Sequence, residues 1–146
     1  MAKSTLILVD QKGFLPSLIK KISGSRFNHL AVLDQNGLIH DFDLIGYRVF
    51  NIDQYPHDFE LTTIKSDQCS PFYACYSIAS LLSFPLHSLG LSKISRFIQE
   101  VSCFNCVSWS LKVMFPTSRE WSRWTVKYPA YFEQFIDQDQ KSTNKF

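Results

Sequence analysis

The residues of this chain best suited to nucleophilic chemistry are a late cysteine and two early histidines. Cys106 follows Asn105 at the start of a segment with helical apolar spacing that runs to about Phe115. Asn105 or a neighbour is therefore predicted to cap a helix, with Cys106 in its first turn. Unpaired N–H groups and the helix dipole favour a thiolate there and can bind the oxyanion of an acyl intermediate. The position suits a nucleophile; the alternative is a buried structural cysteine.

His29 and His40 lie on two segments predicted to form a hairpin around an Asn-Gly turn. A two-residue or a four-residue connection places both imidazoles on one face of the sheet, and only the longer one brings them close together. An imidazole held on a strand beside a second polar group is oriented as a general base. A three- or five-residue connection would turn Asp41 or Asp43 toward His29 instead. The alternative is two partly buried histidines that hydrogen-bond to the backbone.

The segments that must position these residues change in character after Ser66. Before it, the patterns predict strands over 5–9, 27–34, 38–42, 47–52 and 59–64, and a short helix over 14–22. After it, helical spacing appears over 74–82, 89–98 and 105–115, and 119–137 adds one or two helical turns with Pro129 as a break or a helix start. Strands followed by helices predict an α+β fold in which an antiparallel sheet of about five strands packs against helices on one face.

The length and composition indicate one folded domain. The chain has 146 residues, of which 45% are hydrophobic and 19% charged, so it can bury one real core and is too short for two. We expect a single domain over 1–138 and a polar, flexible tail over 139–146. The sequence leaves the oligomeric state open.

Charge and hydropathy argue against two classes of partner. The formal net charge is +2 and the basic residues are scattered, so nucleic acid is not an expected partner. No apolar run approaches the roughly 18 residues of a membrane-spanning helix, and the first apolar run is too short for a signal sequence. We therefore expect a protein without a transmembrane segment, made in the cytoplasm, with later release from the cell as an alternative.

The cysteine count indicates free thiols. The chain has four cysteines, Cys69, Cys75, Cys103 and Cys106, too few for a disulfide scaffold. Cys103 and Cys106 have the C-x-x-C spacing of zinc and redox sites. A zinc site would need a second pair, and Cys69 and Cys75 stand farther apart than the usual spacing of about two to four residues. A redox motif should follow the first strand of a βαβ unit. We therefore expect neither a metal nor a cofactor, with a zinc-stabilised domain as an alternative.

The order of the motifs resembles the permuted branch of the NlpC/P60 superfamily of papain-like enzymes, which includes YiiX-like and lecithin retinol acyltransferase-like proteins. The resemblance covers most of the chain. It begins at the strand over 5–9 and the helix over 14–22. It continues through the segment from Ser25 to Val32 and through Gly37-Leu-Ile-His40, and it closes on Phe104-Asn-Cys106-Val-Ser-Trp-Ser-Leu. A circularly permuted papain-like fold is the expectation that follows.

The resemblance implies a role for three residues. Cys106 is expected to be the nucleophile, His29 the general base and His40 the polar residue that orients the base, with the backbone N–H of Cys106 as an oxyanion donor. Val107 and Ser108 stand where the acyltransferase branch has Glu and His, which favours amide or peptide bonds over phospholipids.

The expected activity is that of a cysteine hydrolase or acyltransferase. Its substrate would be a peptide, a cell-wall fragment or an acylated molecule, cut at an amide, peptide or ester bond. The main alternative is a papain-like interaction module without catalysis. Such a module would bind its partner through exposed aromatic residues, namely Trp121, Trp124, Tyr128 and Tyr131.

Overall fold

The computed structural model describes residues 2–76, 86–87, 89–94, 97, 104–118 and 129–138. Within this part of the chain, five strands form one antiparallel sheet in the order β4-β3-β2-β1-β5. The strands are β1 (Ser4–Asp10), β2 (His29–Asp34), β3 (Leu38–Asp43), β4 (Gly46–Asn51) and β5 (Asp58–Ser66). The predicted α+β class and its five-stranded antiparallel sheet are confirmed.

Two α-helices are described, α1 (Phe14–Ser23) and α2 (Cys106–Met114), together with short 3-10 helices at Ile52–Gln54 and Pro129–Phe135. Helix α1 ends where predicted, because Gly24 adopts a left-handed φ of 69° that other residues rarely take. None of the described helices is long and apolar enough to cross a membrane.

The β2–β3 hairpin has a three-residue connection at 35–37, so the predicted two- or four-residue connection is wrong. The strands pair Val32 with His40 and Leu33 with Ile39. The Asp34 carboxylate fixes this connection by accepting hydrogen bonds from the N–H groups of residues 36 and 38 at 2.8 and 3.0 Å. Gly37 closes it with a φ of 78°. One residue of difference in loop length reverses which side chains share a face.

Helix α2 packs on one face of the sheet. Its Trp109 is fully buried and stacks on Phe42 of β3 with ring centroids 5.3 Å apart. The indole N–H donates a hydrogen bond to the Phe72 carbonyl at 3.0 Å. Leu30 and Val32 of β2 belong to the same buried cluster. This packing fixes the position of α2, and with it that of Cys106, over the first half of β2.

The opposite face of the sheet carries a second, smaller core. Ile7, Val9, Ala31 and Ile39 are fully buried there. They pack against partly buried side chains that include Tyr55. The alternation of side chains along β2 and β3 therefore divides their residues between two cores.

Several sequence predictions fall wholly or partly outside the described residues. Of the predicted helix over 74–82, only 74–76 are described and they are not helical; of the predicted helix over 89–98, residues 92–94 and 97 are helical. The described part of the chain also leaves out Cys103, Trp121, Trp124, Tyr128 and the predicted tail over 139–146.

Candidate active site

The N-terminus of α2 is built by a capping box. The Asn105 side chain accepts a hydrogen bond from the Ser108 backbone N–H at 2.9 Å, and the Ser108 hydroxyl accepts one from the Asn105 N–H at 3.0 Å. This confirms that Asn105 caps the helix and that Cys106 is its first residue. The N–H groups of Cys106 and Val107 precede that of Trp109, which donates the first intrahelical hydrogen bond, to the Asn105 carbonyl at 2.9 Å. The thiol therefore lies beside polar groups that an anion can use.

His29 is the first residue of β2, and its side chain is only 3% exposed. The preceding residue holds this end of the strand in place: the Asn28 N–H donates to the Val9 carbonyl at 3.2 Å, and the Asn28 side chain accepts from the Gln11 N–H at 2.8 Å. The His29 Nε2 lies 2.5 Å from Oδ1 of Asp41. A carboxylate only accepts hydrogen bonds, so Nε2 carries the proton and Nδ1 faces the remaining partner.

The other neighbour is Cys106, which lines the same cleft as His29 and contributes to its pKa. Burial lowers the pKa of His29, but the charge of Asp41, the charge of Cys106 and hydrogen bonds with both side chains outweigh it. The pKa of His29 therefore lies well above its ordinary value. Because Asp41 occupies Nε2, Nδ1 is the ring nitrogen left for Cys106. The imidazole thus connects a carboxylate and a thiol.

Asp41 is held by a second partner. The Tyr55 hydroxyl donates a hydrogen bond to Asp41 Oδ2 at 2.7 Å, so each carboxylate oxygen has its own donor. Burial raises the pKa of Asp41, but the charge of His29, the hydrogen bonds from His29 and Tyr55 and the charge of Arg48 lower it below its ordinary value. Burial and the neighbouring carboxylate raise the pKa of Tyr55, so the phenol keeps its proton and remains a donor.

His40 does not take the place that the resemblance implied. The three-residue hairpin connection puts it on the other face of the sheet from His29. There His40 Nε2 lies 2.9 Å from Asp34 Oδ2, and Nδ1 lies 2.7 Å from the Tyr47 hydroxyl. The predicted His29–His40 contact is therefore wrong. Asp41, the alternative that a three-residue connection favours, is the partner of His29.

The sequence analysis did not single out Tyr55, although it contacts the buried carboxylate of the site. It follows the 3-10 helix at Ile52–Gln54, and its ring packs edge-on against Phe59, with centroids 5.8 Å apart. Its neighbour Pro56 marks a loop in the sequence, but no spacing rule links that loop to β3. Asp43, the other acidic candidate, pairs with Arg48 at 2.7 Å.

Cys106 and His29 both line an open cleft with a volume of about 440 Å³. Each of these two side chains is thus buried enough for strong electrostatic coupling and still adjoins space for a ligand. Clefts of roughly 300 to 1,000 Å³ are typical of small-molecule sites. Both side chains therefore adjoin space that a ligand can occupy.

The structure also bears on the metal and interaction-module alternatives. In residues 2–76 and the other described ranges, no three His, Cys, Asp or Glu side chains are grouped so as to hold a metal ion. The three described cysteines, Cys69, Cys75 and Cys106, are free thiols. Tyr131, one of the aromatics proposed to bind a partner, packs against Phe132 with ring centroids 5.5 Å apart and belongs to the edge of the main core.

Comparisons of the chain with protein-family models, with curated proteins and with solved structures found no match.

Proposed function

We propose that this chain is a cysteine-dependent hydrolase or acyltransferase that acts on an amide, peptide or ester bond. In this proposal Cys106 is the nucleophile, His29 is the general base and Asp41 orients His29. The observation that carries the proposal is the convergence of these three buried side chains at the start of α2 and β2, beside an open cleft. Perturbed titratable groups in a cleft are typical of active sites.

The first half of the reaction forms a thioester. His29 takes the thiol proton of Cys106 on Nδ1, and the sulfur attacks the carbonyl carbon, whose oxygen becomes an oxyanion. The N–H groups in the first turn of α2 are the donors available to it. His29 then gives its Nδ1 proton to the leaving amine or alcohol, the bond to the leaving group breaks, and the acyl group remains on sulfur.

The second half returns the enzyme to its starting state. His29, now neutral, removes a proton from water or from another acceptor, whose oxygen or nitrogen attacks the thioester carbonyl. Collapse of the second tetrahedral intermediate breaks the carbon–sulfur bond, and the thiolate leaves opposite the imidazolium. Asp41 keeps its charge throughout and stabilises the imidazolium at both stages.

The same proposal includes a permuted papain-like fold. Its support is the chain order, in which the histidine hairpin precedes the cysteine helix, and the packing of that helix against the strand that bears the histidine. The resemblance implied a second histidine, His40, as the partner of His29, whereas the partner is Asp41. A carboxylate performs the same orienting task.

The experiment is labelling of the purified chain with a trace of iodoacetamide-alkyne at mildly acidic pH. Ordinary thiols have a pKa of about 8.5 and react slowly there, whereas a thiolate paired with an imidazolium reacts readily. We expect labelling of the wild type and of a Cys69→Ala, Cys75→Ala control, and its loss in Cys106→Ala and in His29→Ala. Unchanged labelling of Cys106→Ala would overturn the nucleophile assignment.

A further inference from the structure

The cleft beside Cys106 has walls that are mainly apolar and come from two separate elements. One wall is the side of α1 that carries Leu15 and Ile19, and the other is the turn between β3 and β4. We name this feature the apolar cleft, and define it by the side chains of Leu15, Ile19, Leu44, Ile45 and Pro56.

The α1 wall is fixed to the sheet that carries the site. Lys20 of α1 pairs with Asp10 at the end of β1, with nitrogen and oxygen 2.6 Å apart, and it also donates to the Gln11 carbonyl at 2.7 Å. Gly24 then ends the helix and returns the chain toward β2. Leu15 and Ile19 therefore line the cleft from a position that the ends of β1 and β2 determine.

The turn wall is apolar at a place where turns are usually polar. Leu44 is 50% exposed and Ile45 is 77% exposed, although two-residue hairpin turns favour Asn, Asp and Gly. The charged residues beside them are paired, since Arg48 binds Asp43 at 2.7 Å. The turn thus offers apolar surface to a ligand without an unpaired charge at its base.

We propose that the substrate of Cys106 carries an apolar group, either an aliphatic chain or a large apolar side chain, which occupies the apolar cleft during the reaction. This inference rests on the proposed function and adds the chemical class of the substrate. A volume of about 440 Å³ holds one such group, and its burial would cover apolar surface on both walls.

The test is the rate at which a series of N-alkyl iodoacetamides, from methyl to hexyl, alkylates Cys106. The rate of each reagent with free cysteine corrects for intrinsic reactivity. The cleft should raise the corrected rate about fourfold for each methylene that it buries. Ile19→Ala and Ile45→Ala should flatten this dependence. Ile22→Ala is the matched control, because Ile22 lies on the same helix, is 63% exposed and is not part of the cleft lining.

The outcomes separate this inference from the proposed function. If alkylation of Cys106 requires His29 but does not depend on alkyl length, the proposal of an apolar substrate group is overturned. The assignment of Cys106 as the nucleophile would still stand. A dependence that Ile22→Ala reduces as much as the two cleft variants would also overturn the proposal of an apolar substrate group. If no reagent reacts preferentially with Cys106, the proposed function falls and the inference with it. Ile45→Ala keeps the test valid should Ile19→Ala fail to fold, since Ile45 is mostly exposed.

A second series assigns the source of the apolar group. p-Nitrophenyl esters from acetate to octanoate present an unbranched chain, and p-nitroanilides of alanine, leucine and phenylalanine present an amino-acid side chain. A Cys106-dependent rate that rises with size in either series supports the proposal and identifies the substrate class. Cys106-dependent rates that fall with size in both series contradict it.

Discussion

Replacing Asp41 by asparagine isolates the charge that the site places beside His29. Asp41 is 1% exposed, and its Oδ1 lies 2.5 Å from His29 Nε2. An asparagine has nearly the same shape, and its amide oxygen can still accept the hydrogen bond from Nε2. The change therefore removes the negative charge and leaves the position of the imidazole largely intact.

The size of the effect follows from the loss of charge assistance. A hydrogen bond to a charged group contributes about 1.5–3 kcal/mol and a neutral one about 1 kcal/mol. The difference of roughly 0.5–2 kcal/mol, at about 1.4 kcal/mol per factor of ten, lowers the imidazolium population about 2- to 30-fold where that form is the minor one. Because Asp41 is the first cause that raises the pKa of His29, that pKa should fall in the variant.

The assay is the rate of Cys106 alkylation by iodoacetamide across the pH range, together with an NMR titration of His29. Asp41→Asn should lower the His29 pKa. It should also shift the pH at which the alkylation rate of Cys106 rises, because that rise depends on the imidazolium. The matched control is His40→Gln, which alters the other hairpin residue that could have partnered His29 and should leave both measurements near those of the wild type. The reasoning is refuted if His40→Gln has the larger effect, or if Asp41→Asn leaves the His29 titration unchanged.

Three further outcomes follow from the same contacts. Tyr55→Phe removes a donor from Asp41, so the pKa of Asp41 should rise and the acid limb of the alkylation profile should move to higher pH, with overall folding retained by circular dichroism. Asn105→Ala removes the Ser108 cap and should lower the free energy of unfolding by about 1 kcal/mol in urea titrations. The His29–Asp41 pair should stabilise the fold most between about pH 3.8, the unfolded value for Asp41, and about 6.5, the unfolded value for His29. Urea titrations should show this contribution falling as pH rises through the folded pKa of His29, and falling as pH drops through the folded pKa of Asp41.

The cysteine half of the site could be predicted because it depends on local rules. A capping residue before an apolar-periodic run determines where a helix begins, and Asn105 caps α2 as expected. That Cys106 meets His29 is a tertiary contact, and the sequence indicated it only through a resemblance in motif order. The packing of Trp109 on Phe42, which seats the helix over β2, has no local signal.

The third residue of the site depended on the parity of a hairpin connection. The Asn-Gly dipeptide favoured a two-residue turn. Asp34 and Gly37 together are equally typical of a type I turn closed by a glycine with positive φ, which gives three residues. The Asp34 carboxylate bonds to the N–H groups of that turn and to His40. A tertiary partner of the Asp34 side chain thus helps to choose between two locally acceptable turns, and the choice decides whether His40 or Asp41 faces His29.

The position of His29 at the start of β2 explains how residues from two cores can form one site. Cys106 belongs to the cluster between the sheet and α2, whereas Asp41 lies on the face that carries Ala31 and Ile39. In the middle of a strand, a side chain reaches only one face of the sheet. At the first residue of β2 the imidazole contacts Asp41 and also lines the cleft that contains Cys106. The nucleophile and the orienting carboxylate are therefore held by separate packing arrangements, and only the imidazole connects them.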